Sequence, residues 1–136
     1  MSVNTDRFPY FALKNQNAMC GAVLIGSRFV LTAAHCEGAA DNFILGARES
    51  DDSGTYTVSW ESLLVHPEYE SREFDHDIML YYLDQDIPDI APLKLEKNPV
   101  TNVGTKMSVI GFGDTRGNDS GRLFLSDVLM ETEVVY

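Results

Sequence analysis

Basic residues are scarce in this chain: ten lysines and arginines stand against twenty-one aspartates and glutamates, for a formal net charge of -11 at pH 7. Phosphate surfaces are bound by clustered Lys and Arg, so the composition argues against a nucleic-acid partner and against an anionic membrane. Long apolar runs are missing, and none approaches the length of a membrane span. The first residues, Met1 to Asp6, lack the basic-then-apolar pattern of a signal peptide, so no export address is expected within them. Sustained helical periodicity is missing as well. Cysteine is limited to Cys20 and Cys36, which either pair with each other or remain free thiols.

What remains is a chain of 136 residues, 44% hydrophobic, enough for one globular domain with a sizeable core. Its apolar residues fall in short runs. Phe8-Pro9-Tyr10-Phe11-Ala12-Leu13 reads as a strand with proline at its entrance, and Cys20 to Gly26 and Arg28 to Leu31 as two strands joined at Gly26-Ser27. Phe43-Ile44-Leu45-Gly46 is a further short strand, followed by a polar loop from Glu49 to Gly54. Thr55 to Trp60 alternates polar with apolar at period two, the strongest strand signal present. Beyond Trp60 the phase slips at Leu63, Leu64 and Val65, which predicts a bulge or a strand buried on both faces. Many short strands separated by turns predict an all-β sandwich or barrel.

The stretch Val30-Leu31-Thr32-Ala33-Ala34-His35-Cys36 runs an apolar strand into a turn of small residues that presents a histidine. Val30 and Leu31 can anchor in a core and the two alanines let backbones approach, so His35 projects from a fixed scaffold, as a general base requires. Leu31 to Cys36 resembles, through six consecutive positions, the histidine motif of the trypsin/chymotrypsin-like serine proteases. Val65-His66-Pro67-Glu68-Tyr69 is similar to another family segment, and Asp75-His76-Asp77 followed by the apolar Ile78 to Leu83 resembles the family's aspartate motif. Pro88 to Pro99 resembles the connector between the two barrels of that fold. Met107 to Thr115 resembles the Gly-Trp-Gly segment early in the second barrel, with Phe112 in place of tryptophan, and Ser126 to Val134 resembles the strand that follows.

The resemblance implies a first Greek-key barrel over residues 1–99 and the first strands of an incomplete second barrel over 100–136. It favours a Cys20–Cys36 disulfide, which by loop closure would stabilise by up to about 3 kcal/mol. Such a bond belongs to the extracellular space or secretory pathway, and the expectation is a trimmed or incomplete form of a secreted protein. His35 is expected as general base and Asp77 as the acid that orients it, the family order of the two being kept. The family's nucleophile lies in Gly-Asp-Ser-Gly-Gly. Asn118-Asp119-Ser120-Gly121-Arg122 shares only its central residues and sits too soon after Gly111-Phe112-Gly113, so Ser120 is rejected as nucleophile and read as turn chemistry. Asn118-Asp119-Ser120 also forms a glycosylation acceptor pattern at Asn118.

Glu49, Asp51 and Asp52 fall in the loop where some family members bind calcium, though a solvated acidic turn is the plainer account. His66 and His76, near Asp75 and Asp77, have no close-spaced ligand pair beside them and are read without a metal, His76 as a strand-edge residue. The implied function is a serine endopeptidase acting on protein or peptide substrates, inactive in this chain alone for want of a nucleophile, with the missing carboxy-terminal part of the same fold as its natural complement. The alternative is a protease-like module that only binds a partner. Primary specificity has no residue in this sequence from which to be read.

Overall fold

The computed structural model describes residues 7–14, 20–38, 42–50, 56–115 and 124–136. Their regular secondary structure is almost wholly strand: β1 (Phe11–Lys14), β2 (Cys20–Gly26), β3 (Phe29–Thr32), β4 (Phe43–Leu45), β5 (Tyr56–Val58), β6 (Trp60–Val65), β7 (Met79–Leu83), β8 (Lys106–Gly111) and β9 (Met130–Val135). The first seven form one sheet in the order β5-β4-β1-β2-β3-β7-β6, and β8 pairs with β9 in a second sheet. All the pairings between these strands are antiparallel.

The two edge strands of the large sheet, β5 and β6, are separated by Ser59 alone. A chain that leaves one edge and enters the opposite edge within a residue can do so only if the sheet curls round to bring those edges together. Curling gives each strand an inner and an outer face, and period-two alternation fills the inside. Ala12, Ala22, Leu24, Val30, Phe43, Leu45, Val58, Met79, Tyr81 and Leu83 all point into one buried cluster, closed at one side by Ile87 and Ile90. Fully burying a side chain such as Leu24 or Phe43 contributes about 1.5–3 kcal/mol relative to leaving it in water.

Strands β1 and β4 are buried on both faces, which explains why their sequences do not alternate. Their second face, Phe11, Leu13 and Ile44, packs with Phe8, Ala47, Phe112 and Leu129, so the segments flanking β8 and β9 dock on the outside of the curled sheet. Backbone bonds from Ser50 to Asp127 and from Leu129 to Arg48 reinforce that contact.

The elements differ from the sequence reading where tertiary contacts decide. The first strand begins at Phe11, because Phe8 to Tyr10 fold into a turn closed by the Phe11 N–H on the Phe8 carbonyl. The alternating run is broken at Ser59, and a register shift between Trp60 and Ser62 supplies the bulge. Much of β6 is exposed, so burial on both faces is not the cause of its phase slip. Val128 lies in an isolated bridge to Glu49, and the last strand begins only at Met130.

The β8–β9 sheet leaves Val109, Val134, Val135 and Tyr136 exposed. A two-stranded sheet with so little apolar cover is weak on its own. Amide hydrogen exchange should therefore be fast in β8 and β9 and slow around Leu24 and Val30, and equal protection in both regions would contradict this division of stability.

Candidate active site

The site is built at the end of β3. Val30 and Thr32 point inward, and the Thr32 hydroxyl donates to the Gly21 carbonyl at 2.9 Å, tying the strand end to β2. The chain then takes a single tight turn over Ala34–Cys36, held by Cys36 N–H on the Ala33 carbonyl (3.1 Å) and Glu37 N–H on the Ala34 carbonyl (2.9 Å). Ala34 and Cys36 are buried, and Cys36 is joined by a disulfide to Cys20 at the start of β2. With its neighbours fixed inward, His35 is left pointing out, its side chain half exposed.

Asp77 arrives by register. β7 pairs with β3 so that Met79 lies opposite Thr32, which carries the residues just before Met79 alongside those just after Thr32. His35 Nδ1 and Asp77 Oδ2 lie 2.6 Å apart, and the backbone N–H of His35 donates to the other carboxylate oxygen at 2.8 Å. An ionised carboxylate can only accept, so the shared hydrogen belongs to Nδ1 and the lone pair of neutral His35 is left on Nε2. The hydrogen bond from the His35 ring, with backbone donors from His35 and Ala34, holds the Asp77 carboxyl below its ordinary range, against the opposing effect of desolvation.

The loop before Asp77 is strained. Phe74 and His76 both have positive φ, 54° and 51°, a conformation costly for side chains other than glycine. The loop is held by the Glu70–Asp75 bridge, by Ile78 N–H on the His76 carbonyl and by His66 N–H on the Ile78 carbonyl. His76 is thus a turn residue, a correction to its reading as part of a strand edge. The Phe74 and His35 rings meet in a T-shaped contact, centroids 5.6 Å apart and planes at 89°. An exposed phenylalanine in an acidic loop gave no signal in the sequence of this contact.

Of the residues singled out from sequence, His35, Asp77, Cys20 and Cys36 come together. Glu49 lies elsewhere, exposed and bridged to Val128. Asp51 and Asp52, and Asn118 and Ser120, fall outside the described residues. His66 and His76 stack at 4.7 Å with ring planes only 17° apart, and His66 Nδ1 accepts the Glu68 N–H at 3.2 Å. In-plane lone pairs of stacked rings run side by side and do not converge on an ion. Cys20, His35 and Cys36 are close enough to share one, but both sulfurs are committed to the disulfide.

Because folding lowers the Asp77 pKa, its bonds to His35 stabilise the fold above the carboxyl's unfolded pKa and are lost as pH falls through the lower folded value. Asp77→Asn should therefore melt below the wild type at neutral pH, with the gap closing as pH falls through and below the ordinary carboxylate range. A gap independent of pH would show that the carboxylate is not the source.

The family model for trypsin matches residues 2–136. Mouse granzyme B(G,H) is 32% identical over 133 residues, covering 93% of this chain and 54% of the relative. Dog chymase is 35% identical over 141 residues, covering 93% of this chain and 51% of its own length. Among solved structures, neuropsin, a serine protease expressed in the limbic system of mouse brain, superposes with a TM-score of 0.83 at 28% identity, over 98% of this chain and 62% of neuropsin. The chain spans about half the length of the relatives it matches. A trypsin-like fold with a histidine and an aspartate joined at its strand ends thus agrees with sequence and structural likeness alike, and the chain belongs to the trypsin family.

Proposed function

We propose that this chain supplies the general base and the orienting acid of a serine endopeptidase. The observation that carries the reading is the paired contact of His35 with Asp77, ring to one carboxylate oxygen and backbone N–H to the other. In the reaction, Nε2 of His35 takes the proton of a serine hydroxyl as its oxygen bonds to the carbonyl carbon of the substrate. Asp77 stabilises the imidazolium that forms. The imidazolium then gives its proton to the departing amine as the C–N bond breaks, and the same base activates water to free the acyl group. These steps are proton and acyl transfers among side chains and water, with no cofactor taking part.

The serine and the oxyanion hole belong, in this proposal, to residues outside the 136 of this sequence, since around Ser120 the first and last glycines of Gly-Asp-Ser-Gly-Gly are replaced by Asn118 and Arg122. Residues 1–99 would form the barrel that bears the base and acid, and 100–136 the start of a second barrel whose further strands cover β8 and β9. The substrates are proteins or peptides. The Cys20–Cys36 bond supports an extracellular or secretory setting, and the charge of -11 argues against nucleic acid as a partner. Retention of the paired histidine and aspartate favours this reading over a module that only binds.

The test uses a chromogenic peptide ester and a serine-directed fluorophosphonate. The 136-residue chain should neither turn over the ester nor take the label, whereas a longer protein that adds a Gly-Asp-Ser-Gly-Gly segment should do both. In that protein His35→Ala should lower kcat by roughly 10⁴-fold or more. Label on Ser120, with turnover abolished by Ser120→Ala, would locate the nucleophile inside this chain and overturn the proposal.

A further inference from the structure

One ionisable group beneath the site takes no part in this chemistry. Lys14 ends β1, and its side chain turns into the curled sheet, where the residue is only 3% exposed. Its ammonium donates to the Cys36 carbonyl, and to the Tyr81 hydroxyl at 2.8 Å, and lies 5.0 Å from the centre of the Tyr81 ring. Tyr81 is itself wedged between Phe43 and Trp60, at centroid distances of 5.0 and 5.1 Å. Burial pushes the Lys14 pKa down, opposed by the nearby Glu37 carboxylate, and pushes the Tyr81 hydroxyl up.

An ammonium is a costly choice for this position. A buried charge can often be exchanged for an apolar side chain of similar volume at no loss of stability, and the interior here is otherwise filled by residues such as Leu24, Phe43 and Met79. What a fully satisfied polar group adds is direction, because it fits only one arrangement of its partners. Those partners are informative. Cys36 is the residue after His35, in the turn that aims the imidazole, and Tyr81 lies on β7, the strand entered directly after Asp77 and Ile78. The two bonds therefore join the support of the base to the support of the acid from below, while the His35–Asp77 bond joins them at the surface. A neutral amine could still donate to the Cys36 carbonyl and accept from the Tyr81 hydroxyl, so the link does not depend on the charge of the lysine.

We infer that Lys14 is a positioning residue: its bond to the Cys36 carbonyl fixes the turn that aims His35 at Asp77, and its bond to Tyr81 ties that turn to the strand behind Asp77. Its meaning for catalysis rests on the proposed triad role of His35, but its geometric content does not, and it is tested on the present chain without any activity. The readout is the proton on His35 Nδ1, followed by NMR in histidine-labelled, disulfide-intact protein.

In Lys14→Met, close in volume but with no donor, this proton should exchange with water about tenfold faster, the factor that losing one hydrogen bond to a charged group makes in a local opening equilibrium. The melting temperature should fall, since the buried Cys36 carbonyl loses its donor while the apolar side chain keeps the volume filled. Tyr81→Phe, which leaves the lysine bonded to Cys36 but unties it from β7, should accelerate exchange by less than Lys14→Met does. Unchanged exchange in Lys14→Met overturns the inference, and so does equal acceleration in both variants, since that would trace to packing and not to the bond with Cys36. In the unsubstituted protein, Lys14 Nζ should also show a coupling through the hydrogen bond to the Cys36 carbonyl carbon. Presence of that coupling supports the inference and its absence overturns it, even where Lys14→Met fails to fold. If the triad reading alone were wrong, these signals would stand while the peptidase assay failed.

Discussion

The pairing of Thr32 with Met79 is the constraint on which the site depends. It brings together a turn and a loop whose key residues are 42 positions apart in sequence. Slipping β7 by one residue would turn Met79, Tyr81 and Leu83 out of the core and Leu80 and Tyr82 into it, so the register is enforced by burial along the whole strand. The His35–Asp77 bond is short and half exposed, and a contact of that kind is worth little unless the scaffold has already aligned its two ends. Here the core does the aligning.

The same economy is visible around the histidine. Thr32 is bonded to Gly21, Cys36 is bonded covalently to Cys20, and Ala34 is packed in the core, so the neighbours of His35 are fixed from within and the ring is held at the surface by Asp77 and Phe74. Asp77 is presented from the opposite direction, by a loop that holds two residues with positive φ directly ahead of it. Strain of that sort persists only where the surrounding bonds over-determine it, and the bridge between Glu70 and Asp75 with the bonds at Ile78 does so.

Much of this was legible in the residues. The strand-to-turn stretch from Val30 to Cys36 reads correctly because it is local: apolar residues, then small ones, then the histidine. The phase slip after Trp60 allowed a bulge or a strand buried on both faces, and the structure has the bulge. What could not be read is whatever depends on a second element. β1 and β4 fail to alternate because each is covered on both sides, once by the sheet interior and once by Phe112 and Leu129 from far along the chain. Lys14 looks like the solvent end of an apolar run until the sheet curls over it. Phe74 looks like an ordinary exposed aromatic until its loop folds back on His35. Val128, at the head of the apolar Val128-Leu129-Met130, promised a strand but met Glu49 in a single bridge.

The chemistry of the site turns on one proton: in neutral His35 it resides on Nδ1, against Asp77, leaving Nε2 free to take another. A long-range proton–nitrogen correlation spectrum of histidine-labelled protein reports the tautomer directly. When neutral, His35 should have a protonated Nδ1 and a bare Nε2, and Asp77→Asn should disturb this state. A neutral His35 with its proton on Nε2 in the unsubstituted protein would contradict this assignment.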